Sequence, residues 1–227
     1  MSSRPELRID WATAEAARYA CTHWHYSKSI PVGKTVRFGI WEGDEYKGCI
    51  LYSWGANNNL AAPYGLAMTE ACELVRVALT SHQWPVSRML AVTFRMLKQQ
   101  SPGLRLIVSF ADPVADHHGG IYQAGGWLYS GTSSPSYELR LNGLRLQKRA
   151  YTGANYGKPK SAIPAGALKV ATPGKHRYLM PLDPAMRAKI APLAKPYPKR
   201  AKGQDAGHPP ALGGSTPTRA LQSPAGG

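Results

Sequence analysis

Clean alternations and short apolar runs dominate the first 140 residues. Val36, Phe38 and Ile40 alternate with polar or small neighbours, which predicts a strand. Tyr46 to Trp54 reads as its antiparallel partner across the turn Glu42-Gly43-Asp44-Glu45. Glu73 to Leu79 (ELVRVAL) predicts a third strand. Leu90, Phe94 and Leu97 recur at helical spacing after Pro85, a residue suited to a first helical turn, so a helix is expected to about Gln100. Leu104 to Phe110 (LRLIVSF) is a compact apolar strand of the kind covered on both faces. Upstream, Trp11, Ala14, Ala17 and Cys21 place an inward stripe on a helix from Asp10, its expected cap, to about Thr22. Downstream, a short helix from about Asp116 to Ala124 is expected to end at Gly125-Gly126. Strands at 127–129 and 137–141 are expected to close the sheet. This order predicts an α/β fold, a mixed sheet flanked by helices. The crossover helix makes the strands at 73–79 and 104–110 parallel.

Charge divides the chain unevenly. Residues 1–140 hold 13 Lys+Arg against 11 Asp+Glu, whereas residues 141–227 hold 15 against 2. Twelve of the 19 prolines follow residue 154, and proline removes amide donors that helices and central strands need. The expected organisation is therefore a catalytic domain over 1–142 and a basic, irregular, Pro-rich extension over 143–200. That extension would be tethered by Leu144, Leu146, Ile163, Leu168, Tyr178 and Leu182. A tail over 201–227 has almost no large apolar residues and is expected to be disordered. Such a basic extension reads first as a contact for double-stranded DNA, with Lys148 and Arg149 among the phosphate-binding candidates. A solvated tail is the bland alternative. No apolar run is long enough to span a bilayer, and no amphipathic helix accompanies the charges, so a membrane partner is not expected. The N-terminus shows no apolar signal core, which argues against secretion. Cys21, Cys49 and Cys72 stand apart, as expected of reduced intracellular thiols rather than a disulfide framework or zinc knuckle.

Several polar residues fall where chemistry is expected. Asp112 and Asp116 lie just beyond the carboxyl end of the strand LRLIVSF, where open α/β sheets bind ligands. Asp112, held extended by Pro113, is a candidate general base or metal ligand, with an Asx turn or helix cap as the structural alternative. Asp116 is expected to be a cap. His25 can act as a base or metal ligand, and Tyr26 can orient a donor or stack on a base. Ser109 can donate to a substrate oxygen or be a satisfied core serine. Asn57, Asn58 and Asn59 offer amides that can pair bidentately with adenine, although asparagine is also a common turn residue. His118 could join His25 and Asp112 in a carboxylate–imidazole site suited to iron (Fe2+). Glu73 and Arg76 read as a structural ion pair.

The stretch Gly120-Ile121-Tyr122-Gln123-Ala124-Gly125-Gly126-Trp127 resembles the helix-to-strand signature of GCN5-related acetyltransferases, and the element order over 10–141 resembles their fold. More closely, HWHYSKSIPVGK, GANNN, ELVRVALT, GLRLIVSFADP and HHGGIYQAGGW, spread over roughly 20–140, resemble the Mom family of DNA-modification proteins of Mu-like bacteriophages. The resemblance implies an enzyme that attaches a small amide-bearing group, methylcarbamoyl or carbamoylmethyl, to N6 of adenine in phage DNA. The mark shields that DNA from host restriction, in the cytoplasm of the infected cell. It implies an acetyl-CoA-type donor and an iron centre proposed for the family. It makes Tyr122 the residue that protonates a departing coenzyme thiolate. The superfamily's pyrophosphate loop, Q/R-x-x-G-x-G/A, falls here on Gln83-Trp84-Pro85-Val86-Ser87-Arg88, which lacks the glycines. Ser87 and Arg88 at the helix N-terminus, with Val77 on the third strand, remain the candidate cofactor contacts. Modifying adenine N6 also requires extruding the base, removing a proton and stabilising charge on the donor.

Three other functions are weighed against this one. A standard adenine N6-methyltransferase needs a D/N/S-P-P-Y/F/W motif and a glycine-rich nucleotide loop, and the chain has neither. A generic acetyl-CoA-dependent N-acetyltransferase acting on a protein or small amine leaves the basic extension unexplained. A non-enzymatic DNA-binding protein leaves the HWHYS and FADP clusters without purpose.

Overall fold

The computed structural model describes residues 4–31, 33–54, 59–146, 151 and 161–199. In chain order these form β1 (Leu7–Trp11), α1 (Ala14–Trp24), β2 (Val36–Glu42), β3 (Glu45–Ser53), β4 (Ala71–Leu79), α2 (Val86–Gln100) and β5 (Leu106–Ala111). There follow α3 (Gly120–Ala124), β6 (Leu128–Thr132), β7 (Ser136–Leu141), β8 (Leu144–Leu146), β9 (Leu168–Thr172), β10 (His176–Pro181) and α4 (Pro184–Ile190). A seven-stranded sheet runs β1-β2-β3-β4-β5-β10-β6. The β4–β5 pair is parallel, as the crossover helix requires, and every other pair in this sheet is antiparallel. The mixed, helix-flanked α/β architecture is the one the sequence predicts.

Three features depart from expectation. Residues 7–11 are an edge strand, so the helix expected from a cap at Asp10 begins later. The α1 cap is Thr13, whose hydroxyl accepts the Ala16 amide at 3.1 Å, and Trp11 is exposed instead of inward-facing. β7 does not close the main sheet; it is the centre of a second sheet, β8-β7-β9. β6 does lie at the sheet's edge, as expected for residues 127–129, but β10, from the stretch expected to be irregular, is inserted between it and β5. Proline density misleads there because the prolines around β10 sit where the backbone tolerates them: Pro181 ends β10 and Pro184 opens α4. A boundary at residue 142 therefore cuts through one folded unit. The tail over 201–227 lies outside the described residues.

Both sheet faces are covered. On one face, α2 contributes Met89, Leu90 and Leu97, and α3 contributes Tyr122, to a core shared with Ile50, Tyr52, Ile107 and Trp127. On the other, α1 packs Ala17, Ala20 and Cys21 on Cys49, Leu51 and Ala78. Further along that second face, Met186 and Ile190 of α4 join Tyr64 and Leu66 over Leu106, Val108 and Leu179. The Arg105 guanidinium forks onto Asp183, the N-cap of α4, at 2.9 and 3.2 Å, which ties the approach to β5 to the C-terminal helix.

The sheet opens at its middle. β4 and β5 pair from Ala71–Leu106 to Leu74–Ser109 and no further. On its other side, β4 shifts register against β3: Tyr52 faces Leu74 but Leu51 faces Arg76, so Val75 is an extra residue. Such a bulge bends its strand and raises the local twist. The bend carries Val75 to Leu79 away from β5 and leaves a cleft at the strands' carboxyl ends.

Candidate active site at the parted strands

Ser109 and Tyr122 meet at the base of this cleft. A serine hydroxyl has one proton to give. The Leu74 carbonyl can only accept, so Ser109 Oγ donates to it at 2.8 Å, and the Tyr122 hydroxyl donates to Ser109 Oγ at 2.8 Å. The result is a directed chain, Tyr122 to Ser109 to Leu74, at the last paired rung of β4 and β5. Burial, partly offset by the Ser109 bond, pushes the Tyr122 hydroxyl up to about 12, so it keeps its proton at neutral pH.

Tyr122 is placed by α3 and by β10. Gly119 precedes α3 at φ +87°, and a Cβ there would fall 2.3 Å from the Tyr178 ring. Tyr178, opposite Ser109 in the β10–β5 register, packs its ring at a tilt 4.9 Å from Tyr122 and donates its hydroxyl to the His118 carbonyl. The strand unseen in the sequence therefore supports the candidate acid.

The loop after α1 brings His25 and Tyr26 to the same cleft. Tyr26 is half-exposed, near enough to raise Tyr122, and packs between the His25 ring at 4.4 Å and the His117 ring at 4.8 Å. His25 is buried, and its Nδ1 accepts the Ser27 amide at 3.1 Å. That bond requires a lone pair on Nδ1, which leaves the proton on Nε2. Burial, with Arg76, His117 and Lys28 nearby, pushes the imidazole down to about 3. His25 is thus a neutral N–H donor in this geometry, with its basic nitrogen already engaged.

The unfolded chain protonates His25 near its ordinary value of 6.5, while the folded chain resists until about 3. Its contribution to stability is therefore lost progressively as pH falls from about 6.5 towards 3. Replacing His25 with Asn should flatten that acid limb in urea midpoints measured against pH. An unchanged slope would place the acid sensitivity in other groups.

Asp112 takes the structural arrangement considered for it. One carboxylate oxygen accepts the Val114 amide at 3.1 Å and the other lies 2.9 Å from Lys175 Nζ. Its carbonyl accepts the amides of Ala115 and His117, each at 3.1 Å, which shapes the loop carrying His117. Asp116 is not a helix N-cap; it sits at φ +60° after a single 3-10 turn. His117, exposed at the cleft mouth, is pulled below the ordinary imidazole value by desolvation against the opposing pull of Asp112 and Asp116. His118 turns the other way, towards Gly120 and His176. Arg76 donates to the carbonyls of Ser29 and Val75, holding the loop after α1 against the bulge.

Of the remaining candidates, Val77 lies on the bent end of β4, and Ser87 and Arg88 lie in the first turn of α2. Asn59 lines a cavity on the opposite face of the sheet. Asn57, Asn58, Lys148 and Arg149 fall outside the described residues. The sequence marks none of Lys175, His117 and Tyr178 as a site residue: Lys175 and Tyr178 reach the site only through β10, and no local pattern sets His117 apart from its neighbour His118.

A model of the Mom protein family matches residues 6–199. The chain belongs to the Mom protein family. No curated protein matches it. Among solved structures, it is similar to a Bacillus subtilis acetyltransferase in complex with CoA (11% identity, 78% of this chain and 99% of that one, TM-score 0.39). It is also similar to an Elizabethkingia anophelis GNAT family acetyltransferase with acetyl-CoA bound (13% identity, 77% and 97%, TM-score 0.39). A third similar structure is the AHL synthase LasI (12% identity, 86% and 100%, TM-score 0.38).

Two groups expected of this Mom-family chain can be tested against its residues. The iron set of His25, Asp112 and His118 does not assemble. His25 Nδ1 is engaged by Ser27, Asp112 by Lys175 and Val114, and His118 faces away. No group of three or more metal-ligating side chains occurs among the described residues. The diphosphate of an acyl-CoA meets a different arrangement before α2. Glu42, buried, accepts the amides of Gln83 and Trp84 at 2.7 and 2.8 Å through one carboxylate oxygen. A side chain of the protein itself thus occupies the loop amides, and the open first turn of α2 at Val86 and Ser87, beside exposed Arg88, is what remains for a donor phosphate. The parted strands themselves suit an extended amide-bearing arm, because their facing edges have left the ladder.

Proposed function

We propose that this Mom-family chain is an acyltransferase-like enzyme that places a small amide-bearing group on N6 of adenine in double-stranded DNA. The donor is of the acyl-CoA class. The reaction takes place in the host cytoplasm and protects phage DNA from restriction. The observation that carries the reading is the Tyr122–Ser109–Leu74 proton chain at the point where β4 leaves β5. The family match supports the choice of DNA as the acceptor.

The residues divide the work as follows, written for the methylcarbamoyl form. The donor for this form is a methylcarbamoyl thioester, CH3–NH–C(=O)–S–R: adenine N6 forms a bond to its carbonyl carbon as the carbon–sulfur bond breaks, so the methylcarbamoyl group moves whole and the thiolate leaves. His117, neutral and at the cleft mouth, takes the proton lost by N6. His25, with Nε2–H available, donates to the carbonyl oxygen as charge develops there. Tyr122 gives its proton to the departing thiolate. Asp112, through its carbonyl and its Lys175 ion pair, is a positioning residue for the His117 loop. Tyr26 orders the space between the two imidazoles. No step passes through iron.

Nucleoside mass spectrometry of plasmid DNA from an expressing host tests the reading, with a modified deoxyadenosine as the expected product. Wholly unmodified nucleosides, with folded protein present, would sink it. A generic small-amine acetyltransferase would instead acetylate amine substrates in vitro and leave the DNA unchanged.

A further inference from the structure

The two edges of the main sheet are finished differently. At the β6 edge the chain after α4 lies alongside. The Lys195 amide donates to the Tyr129 carbonyl at 2.8 Å, and the Tyr197 hydroxyl donates to the Trp127 carbonyl at 2.6 Å. At the β1 edge nothing comparable occurs among the described residues. Exposed edges invite pairing with another chain, and proteins blunt them with proline, bulges or lysine. β1, LRIDW, has no proline, pairs β2 without a register shift, and carries one charge of each sign.

The ladder to β2 shows which groups this edge offers. Alternate residues of an antiparallel strand turn their N–H and C=O to the same neighbour. The Glu6 carbonyl accepts the Gly43 amide at 2.8 Å, and the Ala12 amide donates to the Arg37 carbonyl at 3.0 Å. Glu6, Arg8, Asp10 and Ala12 therefore face β2, and Leu7, Ile9 and Trp11 turn their backbone groups outward. The Trp11 amide is met there by the adjacent Asp10 carboxylate, at 2.7 Å. Side chains divide in the same alternation. Arg8 and Asp10 are exposed on one face, with Arg8 over the Trp41 ring at 4.2 Å. Leu7 and Ile9 join the core on the other face, where Trp11, 48% exposed, stacks on Phe38 at 4.9 Å.

This edge is complementary to itself. A second copy laid antiparallel and centred on Ile9 sets Leu7 opposite the partner's Trp11 and Ile9 opposite the partner's Ile9. All these positions have outward backbone groups, so each forms a hydrogen-bonded pair exchanging two bonds. Between them Arg8 falls opposite the partner's Asp10, in the closer, non-hydrogen-bonded position where opposite charges stabilise a pair. The exposed Trp11 ring is then covered by the partner's Leu7. Sliding the copy by one residue sets outward groups against inward ones. Sliding it by two sets Arg8 against the partner's Arg8, or Asp10 against the partner's Asp10. α1 leaves the approach clear, because it packs over β3 and β4, inward of the edge.

We infer that β1 is a homodimer interface, in which two chains pair β1 to β1 about a twofold axis between their Ile9 residues. Two seven-stranded sheets then become one. The axis is perpendicular to the sheet, so the two clefts open at opposite ends and each is built within one chain. The interface is therefore independent of the donor and acceptor assigned above.

Sedimentation velocity on the full chain, over a range of concentrations, should show a dimer. Asp10→Arg and Arg8→Asp should each raise its dissociation constant by about tenfold or more, because both cross-strand charge pairs turn repulsive. Mixed in equal amounts, the two variants should form a heterodimer of near wild-type affinity, since each supplies the charge the other lacks. Mixing would not cure a folding defect, so recovery separates pairing from misfolding. Ile9→Pro removes an outward amide without touching the β2 ladder, and should give a monomer with an unchanged circular dichroism spectrum. A monomeric wild-type chain would overturn the inference. So would a dimer that survives Asp10→Arg and Ile9→Pro, or single charge variants that mixing fails to restore.

Discussion

Tyr122→Phe should lower the yield of modified deoxyadenosine by about 10²- to 10⁴-fold, the scale of one lost general acid. The fold should survive. The substitution removes one hydroxyl, and Ser109 keeps its bond to the Leu74 carbonyl, so the expected stability loss is about 1 kcal/mol. Ser109→Ala makes the useful contrast. It strands both the Tyr122 hydroxyl and the Leu74 carbonyl in a buried place, and should cost stability as well as activity. Nucleoside mass spectrometry beside thermal unfolding separates the two effects. Undiminished modification in Tyr122→Phe would remove the tyrosine as the acid and leave the chain from Tyr122 to Leu74 a purely structural device.

Truncation after Asn142 should abolish cooperative folding, whereas truncation after Lys199 should leave the melting transition close to that of the full chain. The first cut removes β10, which pairs β5 along its full length on one side and β6 from His176 to Leu179 on the other. It also removes Tyr178 and Leu179, both fully buried, and the α4 residues Met186 and Ile190. Two strands would be left with open edges and the cleft without a wall. The second cut removes only residues beyond the described fold. Circular dichroism and calorimetry on both truncations decide the matter; a cooperatively melting 1–142 fragment would show that β10 is dispensable. The shorter deletion also isolates the tail's charge, so its DNA affinity across salt concentrations reports on that segment without the confusion of an unfolded core.

Much of this fold was legible because local pattern and tertiary role agree. β2 and β3 alternate, α2 carries Leu90 and Leu97 at helical spacing, and the apolar run of β5 is covered on both faces. β1 was hidden because the helix-favouring stretch that follows it drew the boundary forward to Asp10. β10 was hidden by the prolines around it, although HRYLM itself reads as a strand. In the site, Asp112, Ser109, His25 and Tyr26 stood out as polar residues at or near element ends, and Tyr122 came from the family resemblance. What the sequence could not show was hydrogen-bond direction and long-range pairing. Ser27 decides which nitrogen of His25 is basic, and Lys175 occupies Asp112 from 63 positions away. Glu42 reaches the amides before α2 across 41 and 42 positions, and no local signal announces it.

The place of β10 also has a consequence in time. A ribosome releases β5 and β6 well before it has made the strand that belongs between them, and meanwhile it releases the three-stranded sheet from the intervening stretch. Until Pro181 is synthesised, two apolar borders wait for a partner that any neighbouring nascent chain could imitate. Yield of active protein should therefore depend on how quickly translation crosses that interval, and slow codons there should favour aggregates over enzyme.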